Sequence, residues 1–224
     1  MNGLVDTQGD FGFASVQSPR PLGLTSKRMI DIVLALSAIV LLAPMLIICF
    51  VMTVVTSPGP ALFRHKRVGF KGKCFECLKF RTMVSDAPER LRQLLERDPV
   101  AAAEWTINRK LRNDPRVTAI GAILRRSSLD ELPQLFNVLK GDMSIVGPRP
   151  VTEEELARYS SLTNAYYACR PGMTGLWQVS GRSATTFNKR IACDSFYARN
   201  WSMTLDAKII IATIPAVCFS DTAY

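Results

Sequence analysis

Hydrophobic and polar positions divide the chain into three stretches. Residues 1–26 mix Gly, Ser, Gln and Pro without a hydrophobic period, which predicts a disordered leader. The pattern then changes sharply. From Ile32 to Phe63 there is no charged residue and no histidine, and within Ile32–Val55 only Ser37, Pro44 and Thr53 are not apolar. A helix over these positions is roughly 36 Å long, enough for a hydrocarbon core of about 30 Å. Ser57-Pro58-Gly59-Pro60 is a sharp stop. Beyond it the periods shorten. Phe75–Phe80 and Ile145–Val146 read as extended segments. Ala87–Arg97, Leu132–Leu139, Glu153–Tyr167 and Thr186–Arg199 read as helices. Ile209–Phe219 is uncharged but too short to span, and suits an interfacial or core helix. The expected fold is α+β and helix-dominated: a membrane helix over 27–56 and one domain over 57–224, with interfacial amphipathic helices.

Charge decides how the apolar stretch sits. Lys27 and Arg28 precede it, and Arg64, His65, Lys66 and Arg67 follow it. The positive-inside rule places both flanks on the cytoplasmic side. A single crossing cannot satisfy that, whereas a hairpin can. Pro44, near the middle, kinks or breaks a helix, and each half alone is too short to span. A kinked re-entrant helix broken at Pro44 is the expectation, with a straight span the alternative. Asp31 reads as a charge at headgroup level near the helix N-terminus.

Composition narrows the chemistry. The chain has 224 residues, 48% hydrophobic, with one histidine and a net charge of +9. A single His65 argues against histidine-rich zinc sites. Six cysteines are too sparse for a disulfide scaffold, and Cys74-x-x-Cys77 lacks the second pair that a structural zinc needs. The positive excess lies in residues 64–150, with 18 basic against 10 acidic residues. Anionic lipid, nucleic acid and phosphorylated small molecules all suit such a segment.

Candidate chemistry concentrates there. Ser128-Leu129-Asp130-Glu131-Leu132-Pro133 follows Arg125 and Arg126. Neighbouring arginines and a helix N-terminus favour ionised carboxylates, fit to attack an electrophile or hold a hard divalent metal. The same residues fit a capping box, Ser128-x-x-Glu131, with Pro133 in the first turn. Both readings stand on spacing. Lys79-Phe80-Arg81 follows an expected strand. Gly147-Pro148-Arg149-Pro150 fixes one arginine between prolines, suited to phosphate, or forms a plain proline-rich turn. Arg170–Arg182 supplies turns, Trp177, Gln178 and two arginines, enough to hold a base and its phosphates, but it is no P-loop.

In order along the chain, these segments resemble the bacterial sugar transferases, the polyprenyl-phosphate hexose-1-phosphate transferases. The likeness rests on Lys27-Arg28-x-x-Asp31, Ser57-Pro58-Gly59-Pro60, Lys79-Phe80-Arg81-Thr82-Met83, Arg125-x-x-Ser128-Leu129-Asp130-Glu131-Leu132-Pro133-Gln134, Gly141–Pro150, Arg170–Arg182 and Trp201-Ser202-x-x-x-Leu205-Asp206. It runs from about Lys27 to Ser220 and is most similar to the exopolysaccharide-type undecaprenyl-phosphate galactose phosphotransferases.

The resemblance implies transfer of hexose-1-phosphate from a UDP-hexose, UDP-galactose or UDP-glucose, to undecaprenyl phosphate with release of UMP. This would be the first membrane step of exopolysaccharide synthesis. It implies Asp130 as nucleophile in a covalent phosphosugar intermediate, Glu131 as its assistant, and Mg²⁺ held by both. Lys79, Arg81, Arg125, Arg126 and Arg149 would hold phosphates, and Arg170, Gln178 and Arg182 the uridine or sugar. It implies a catalytic domain on the cytoplasmic face of the bacterial inner membrane, anchored by a re-entrant helix. Some relatives carry Ser-Pro at the helix break, where this chain has Ala43-Pro44. The implied partners are UDP-sugar, undecaprenyl phosphate, membrane lipid, a second copy in a homodimer and downstream glycosyltransferases, with no nucleic acid. A non-catalytic scaffold of a polysaccharide assembly complex is the rival that Asp130→Asn would separate.

Overall fold

The computed structural model describes residues 24–108, 111–181 and 186–218. The expected leader lies outside them up to residue 23, as does Arg182. Helix α1, Leu24–Thr56, is 33 residues long and begins inside the expected leader. Pro44 lies within it, and the helix continues on both sides. The break expected at Pro44 therefore does not interrupt the helix, because proline removes only its own backbone donor and neighbouring turns keep theirs.

One stripe of α1 is buried: Lys27, Asp31, Ala35, Cys49 and Thr53, at helical spacing. The rest is apolar and open, with Val40, Leu41, Ile47 and Val55 each more than 60% exposed. At its start, Arg28 donates to the carbonyls of Val138 and Leu139, at 2.6 and 2.8 Å. Asp31, expected as an open charge near the helix N-terminus, is enclosed by protein instead. It is buried and accepts from Ser144 Oγ and the Ile145 N–H, both at 3.0 Å. Two good donors offset the desolvation that an exposed position would avoid. Lys27 pairs with Asp206 at 2.6 Å, and Asp206 also accepts from Tyr197 and Trp201. At the far end, Cys49 packs with Phe80 and Leu124, flanked by Leu46 and Leu129.

A hairpin follows. Strand β1, Leu62–Val68, pairs antiparallel with β2, Cys74–Phe80, from Leu62 opposite Phe80 to Val68 opposite Cys74. Arg64-His65-Lys66-Arg67 hides the alternation of β1, most of whose positions are open or half-buried. Cys74 is exposed and Cys77 buried, since residues three apart on a strand face opposite ways. Helix α2, Ala87–Arg97, matches its expected bounds and carries Arg92 ion pairs to Glu89 and Glu96. It packs against α3, Pro99–Asn108. Helix α4, Ala119–Arg126, is capped by Thr118, which accepts from the Gly121 N–H.

Helix α5, Gln134–Lys140, lies beneath α1 and β2. Its Leu135 and Val138 join Ala35, Phe75, Cys77 and Met143 in one core cluster. Strand β3, Ser144–Val146, pairs parallel with β4, Gly172–Thr174. The helix expected over Glu153–Tyr167 is divided into α6, Glu153–Ala157, a 3-10 turn at Ser160–Leu162, and α7, Thr163–Tyr167. Ser160 at φ 49° sits where the chain bends. The true capping box is here, between Thr152 and Glu155. Short α8, Leu176–Val179, leads to α9, Phe187–Asn200. The apolar tail is the later part of α10, Met203–Cys218. Ile209 is buried against Val146, Cys169 and Tyr197, whereas Ile211 and Ile214 are open.

Candidate active site

The site begins where α4 ends. Ser128 adopts φ 58°, ψ 15°, a left-handed conformation, and its side chain caps nothing. The capping-box reading of Ser128 and Glu131 thus fails, because an N-cap needs extended backbone to aim its hydroxyl. The bend throws Leu129–Glu131 into a 3-10 turn. Leu129 packs toward α1, and the two carboxylates turn to Lys79 on β2. Lys79 Nζ donates to Glu131 Oε1 and lies 3.9 Å from Asp130 Oδ2. The Asp130 side chain is only 13% exposed. Burial, with Glu131 adding to it, pushes its carboxyl up to about 6, against the pull of Lys79 and Arg125. Asp130 is therefore not held firmly ionised as its arginine neighbours predicted: desolvation outweighs them.

The other basic candidates separate. Arg125 donates from Nε to Thr82 Oγ1 at 2.8 Å, and its charge reaches Asp130. Arg126 is exposed at the end of α4, turned away by the helical step. Arg81 donates to the Ser57 carbonyl where α1 ends. Its Nε and Nη1 are buried without a partner among the described residues. Gly59, at φ 115°, makes room for this guanidinium, since a Cβ there would come within 2.3 Å of Arg81 Nη1. Arg170 donates to the Gly141 carbonyl at 3.0 Å and lies over the Phe70 ring, so it braces the region where Arg28 docks.

The proline-flanked turn forms a second basic group. Gly147 lies so close to the 170–172 backbone that a Cβ would meet the Arg170 carbonyl oxygen at 2.3 Å. That approach holds Arg149 5.2 Å from the centre of the Trp177 ring. Arg190, on α9, lies 4.7 Å from the same ring. Asp194, one turn further, is buried and accepts from Tyr159 Oη at 2.7 Å and from the Arg149 backbone N–H. Burial raises its carboxyl to about 7. Gln178 donates to the Met173 carbonyl, and its Oε1 is buried without a partner among the described residues. Arg190 and Asp194 were missed from the sequence. The available signal was an aspartate among inward-facing Ile191, Ser195 and Ala198 on α9, with a basic residue one turn before it.

The two groups flank one part of the hairpin. His65 and Cys77 face each other across β1 and β2, and each feels both Lys79 and Arg149. A buried carboxylate, a second carboxylate held by lysine and arginines with spare donors form an arrangement suited to phosphate chemistry. The sequence profile of the bacterial sugar transferases matches residues 22–220, which include every residue just described.

The chain belongs to the bacterial sugar transferase family. It is 45% identical over 205 residues to the exopolysaccharide production protein ExoY of Sinorhizobium fredii (92% of this chain, 91% of the relative). It is 48% identical over 198 residues to the undecaprenyl-phosphate galactose phosphotransferase of Salmonella typhimurium (88% of this chain, 41% of the relative). It is 42% identical over 208 residues to the UDP-glucose:undecaprenyl-phosphate glucose-1-phosphate transferase of Caulobacter vibrioides (88% of this chain, 72% of the relative). Lys27 and Asp31, with Asp206 as the partner of Lys27, seat the first end of the apolar helix on the domain.

Proposed function

We propose that the chain transfers a hexose-1-phosphate from a UDP-hexose to undecaprenyl phosphate at the cytoplasmic face of the bacterial inner membrane, in exopolysaccharide synthesis. Buried Asp130 beside the Lys79–Glu131 pair carries this reading. Relatives named for transfer of galactose and glucose phosphates support it. An Asp130 oxygen attacks the phosphorus that bears the sugar. The bond from that phosphorus to the nucleoside phosphate breaks, and UMP leaves with its electron pair. A phosphate oxygen of undecaprenyl phosphate then attacks the same phosphorus, and the Asp130 carboxylate is restored. Desolvation suits this role, since a poorly solvated carboxylate is a stronger nucleophile once ionised. Lys79 and Arg125 lower the repulsion between carboxylate and diphosphate, and Arg81 lies where a lipid phosphate enters.

Mg²⁺ would be held by Asp130 and Glu131. No group of three or more acidic, His or Cys side chains stands together among the described residues. Two adjacent carboxylates still fit, because Mg²⁺ favours one or two carboxylates with waters and substrate phosphates. When bound, the ion neutralises phosphate charge.

For the anchor, the re-entrant reading rests on α1 touching one folded unit at both ends, through Lys27 and Asp31 at one and Cys49 and Ser57 at the other. A straight crossing would place one end of a helix roughly 50 Å long on the opposite side.

The test is intact mass of protein in nanodiscs with Mg²⁺ and a UDP-hexose panel, without lipid acceptor. A phosphohexose adduct on the wild type and none on Asp130→Asn is expected, and it names the sugar. UMP release that requires undecaprenyl phosphate, with no adduct, would replace the covalent step by direct transfer. Neither adduct nor UMP release would favour the scaffold.

A further inference from the structure

We infer that Arg190 and Arg149 form a paired anion site on Trp177 that takes the diphosphate of the nucleotide donor. The inference rests on the transfer reading above and assigns a substrate-binding role to Arg190, which the sequence did not suggest.

Two guanidinium groups lie over one indole, whose own N–H is a third donor. Arg149 and Arg190 lie 5.2 and 4.7 Å from the centre of the Trp177 ring. Arg149 Nε, Arg190 Nε and Trp177 Nε1 are all buried without partners among the described residues. Trp177 itself is 6% exposed, so its N–H cannot turn to bulk water. Such donors are costly to bury unless something satisfies them. The charges make the same point. The two guanidinium groups repel each other: burial and the charge of Arg149 both lower the affinity of Arg190 for its proton. Among the described residues, the charge of Glu155 reaches Arg190, and the carboxylate hydrogen-bonded to the group is Asp194, which is committed to the Tyr159 hydroxyl and the Arg149 backbone. Burial weakens its charge near neutral pH.

A group with three unpartnered donors among the described residues, its two cations only partly offset by Glu155 and Asp194, fits an anion with several oxygens. Guanidinium groups recognise phosphate oxygens in a fixed fork, and a stack on an aromatic face holds them in place. Position selects the donor. The group lies between α8, α9 and the proline-flanked turn, across the His65–Cys77 pair from Lys79. Arg81 instead lies at the carbonyl of Ser57, where α1 leaves its apolar stretch, the natural place for a lipid phosphate. Asp194 acts as a positioning residue that holds the Arg149 turn.

Calorimetry on the full chain in nanodiscs with inorganic pyrophosphate tests the site without turnover, and kinetics separate the substrates. Arg190→Gln is expected to weaken pyrophosphate binding at least tenfold. It should raise the KM for the UDP-sugar similarly and leave that for undecaprenyl phosphate within twofold. Arg190→Lys should recover part of the binding. Where Arg190→Gln fails to fold, Trp177→Phe keeps the ring and removes the N–H, and should weaken binding two- to fivefold. Pyrophosphate binding unchanged in these variants would overturn the site, as would a rise confined to the lipid acceptor's KM. Arg190-dependent pyrophosphate binding by a wild type that turns over no UDP-sugar would sink the transfer reading and keep the anion site.

Discussion

Asp130 is pulled both ways. Burial and Glu131 hold its proton on, while Lys79 and Arg125 draw it off, and the carboxyl settles at about 6. On the proposed mechanism the proton must leave before attack, so single-turnover adduct formation should fall as pH drops through about 6. Lys79→Met removes a lowering charge and should move that midpoint upward, whereas Glu131→Gln should move it downward. Rapid-quench mass measurement between pH 5 and 8 reads both shifts, and a flat profile would contradict a titrating nucleophile.

Stability runs the opposite way. A carboxyl raised in the fold binds a proton that the unfolded chain has lost, so stability falls as pH rises from about 4 to about 6. Asp130→Asn should therefore raise the melting temperature at pH 7.5, by on the order of 2 kcal/mol of stability. An unchanged melting temperature would argue that Asp130 is less desolvated than its surroundings suggest. Asp130 was legible in the sequence as a candidate; its burial was not. Ser128-x-x-Glu131 has the spacing of a cap, and only the left-handed Ser128 shows that the motif presents carboxylates instead. Arg126 was drawn in by sequence adjacency, which on a helix turns consecutive side chains about 100° apart.

Among the elements, the docking of α1 includes one buried ion pair beside the Arg28 and Asp31 contacts. Lys27 and Asp206 meet at 2.6 Å with side chains about a tenth exposed. Removing one partner leaves the other charged and buried, a loss of about 3–5 kcal/mol. Lys27→Met should thus lower the melting temperature in detergent by about 10 °C. Adding Asp206→Asn should restore at least half, because the isostere removes the unpaired buried charge and its one oxygen still accepts from Tyr197 or Trp201. A drop of less than 2 °C in the single variant would mean the pair contributes little. Elements with strong local patterns were readable: α1 by its apolar run, α2 by its charge spacing. Those made by tertiary contact were not. β1 reads as a basic run because its partner, not its own alternation, makes it a strand. The α6–α7 break depends on where Tyr159 and Tyr166 must pack, and no local residue announces it.

For the whole molecule, the decisive relation is that one domain receives both ends of the apolar helix. Cysteines placed at Thr25 and Pro60, with the native cysteines replaced, should both react with an impermeant maleimide in inside-out vesicles. Protection of either one would favour a crossing helix. The basic flanks of the apolar run signalled that both ends face one side, but the contacts that hold the first end were not legible, since Asp31 and Asp206 are 175 positions apart and meet through Ser144, Ile145, Tyr197 and Lys27.

The paired tethers also bear on bilayer thickness. A crossing helix must match its apolar length to the lipid, and it tilts or strains when they differ. A helix fastened at both ends to a unit on one side has no such length to match. On the re-entrant reading proposed above, its depth would be set by Lys27, Asp31 and Ser57, not by the opposite leaflet, and the carboxylates beside Leu129 would be carried at a constant height above the headgroups. Turnover should accordingly stay level across bilayers of short and long acyl chains, where a spanning enzyme would show an optimum.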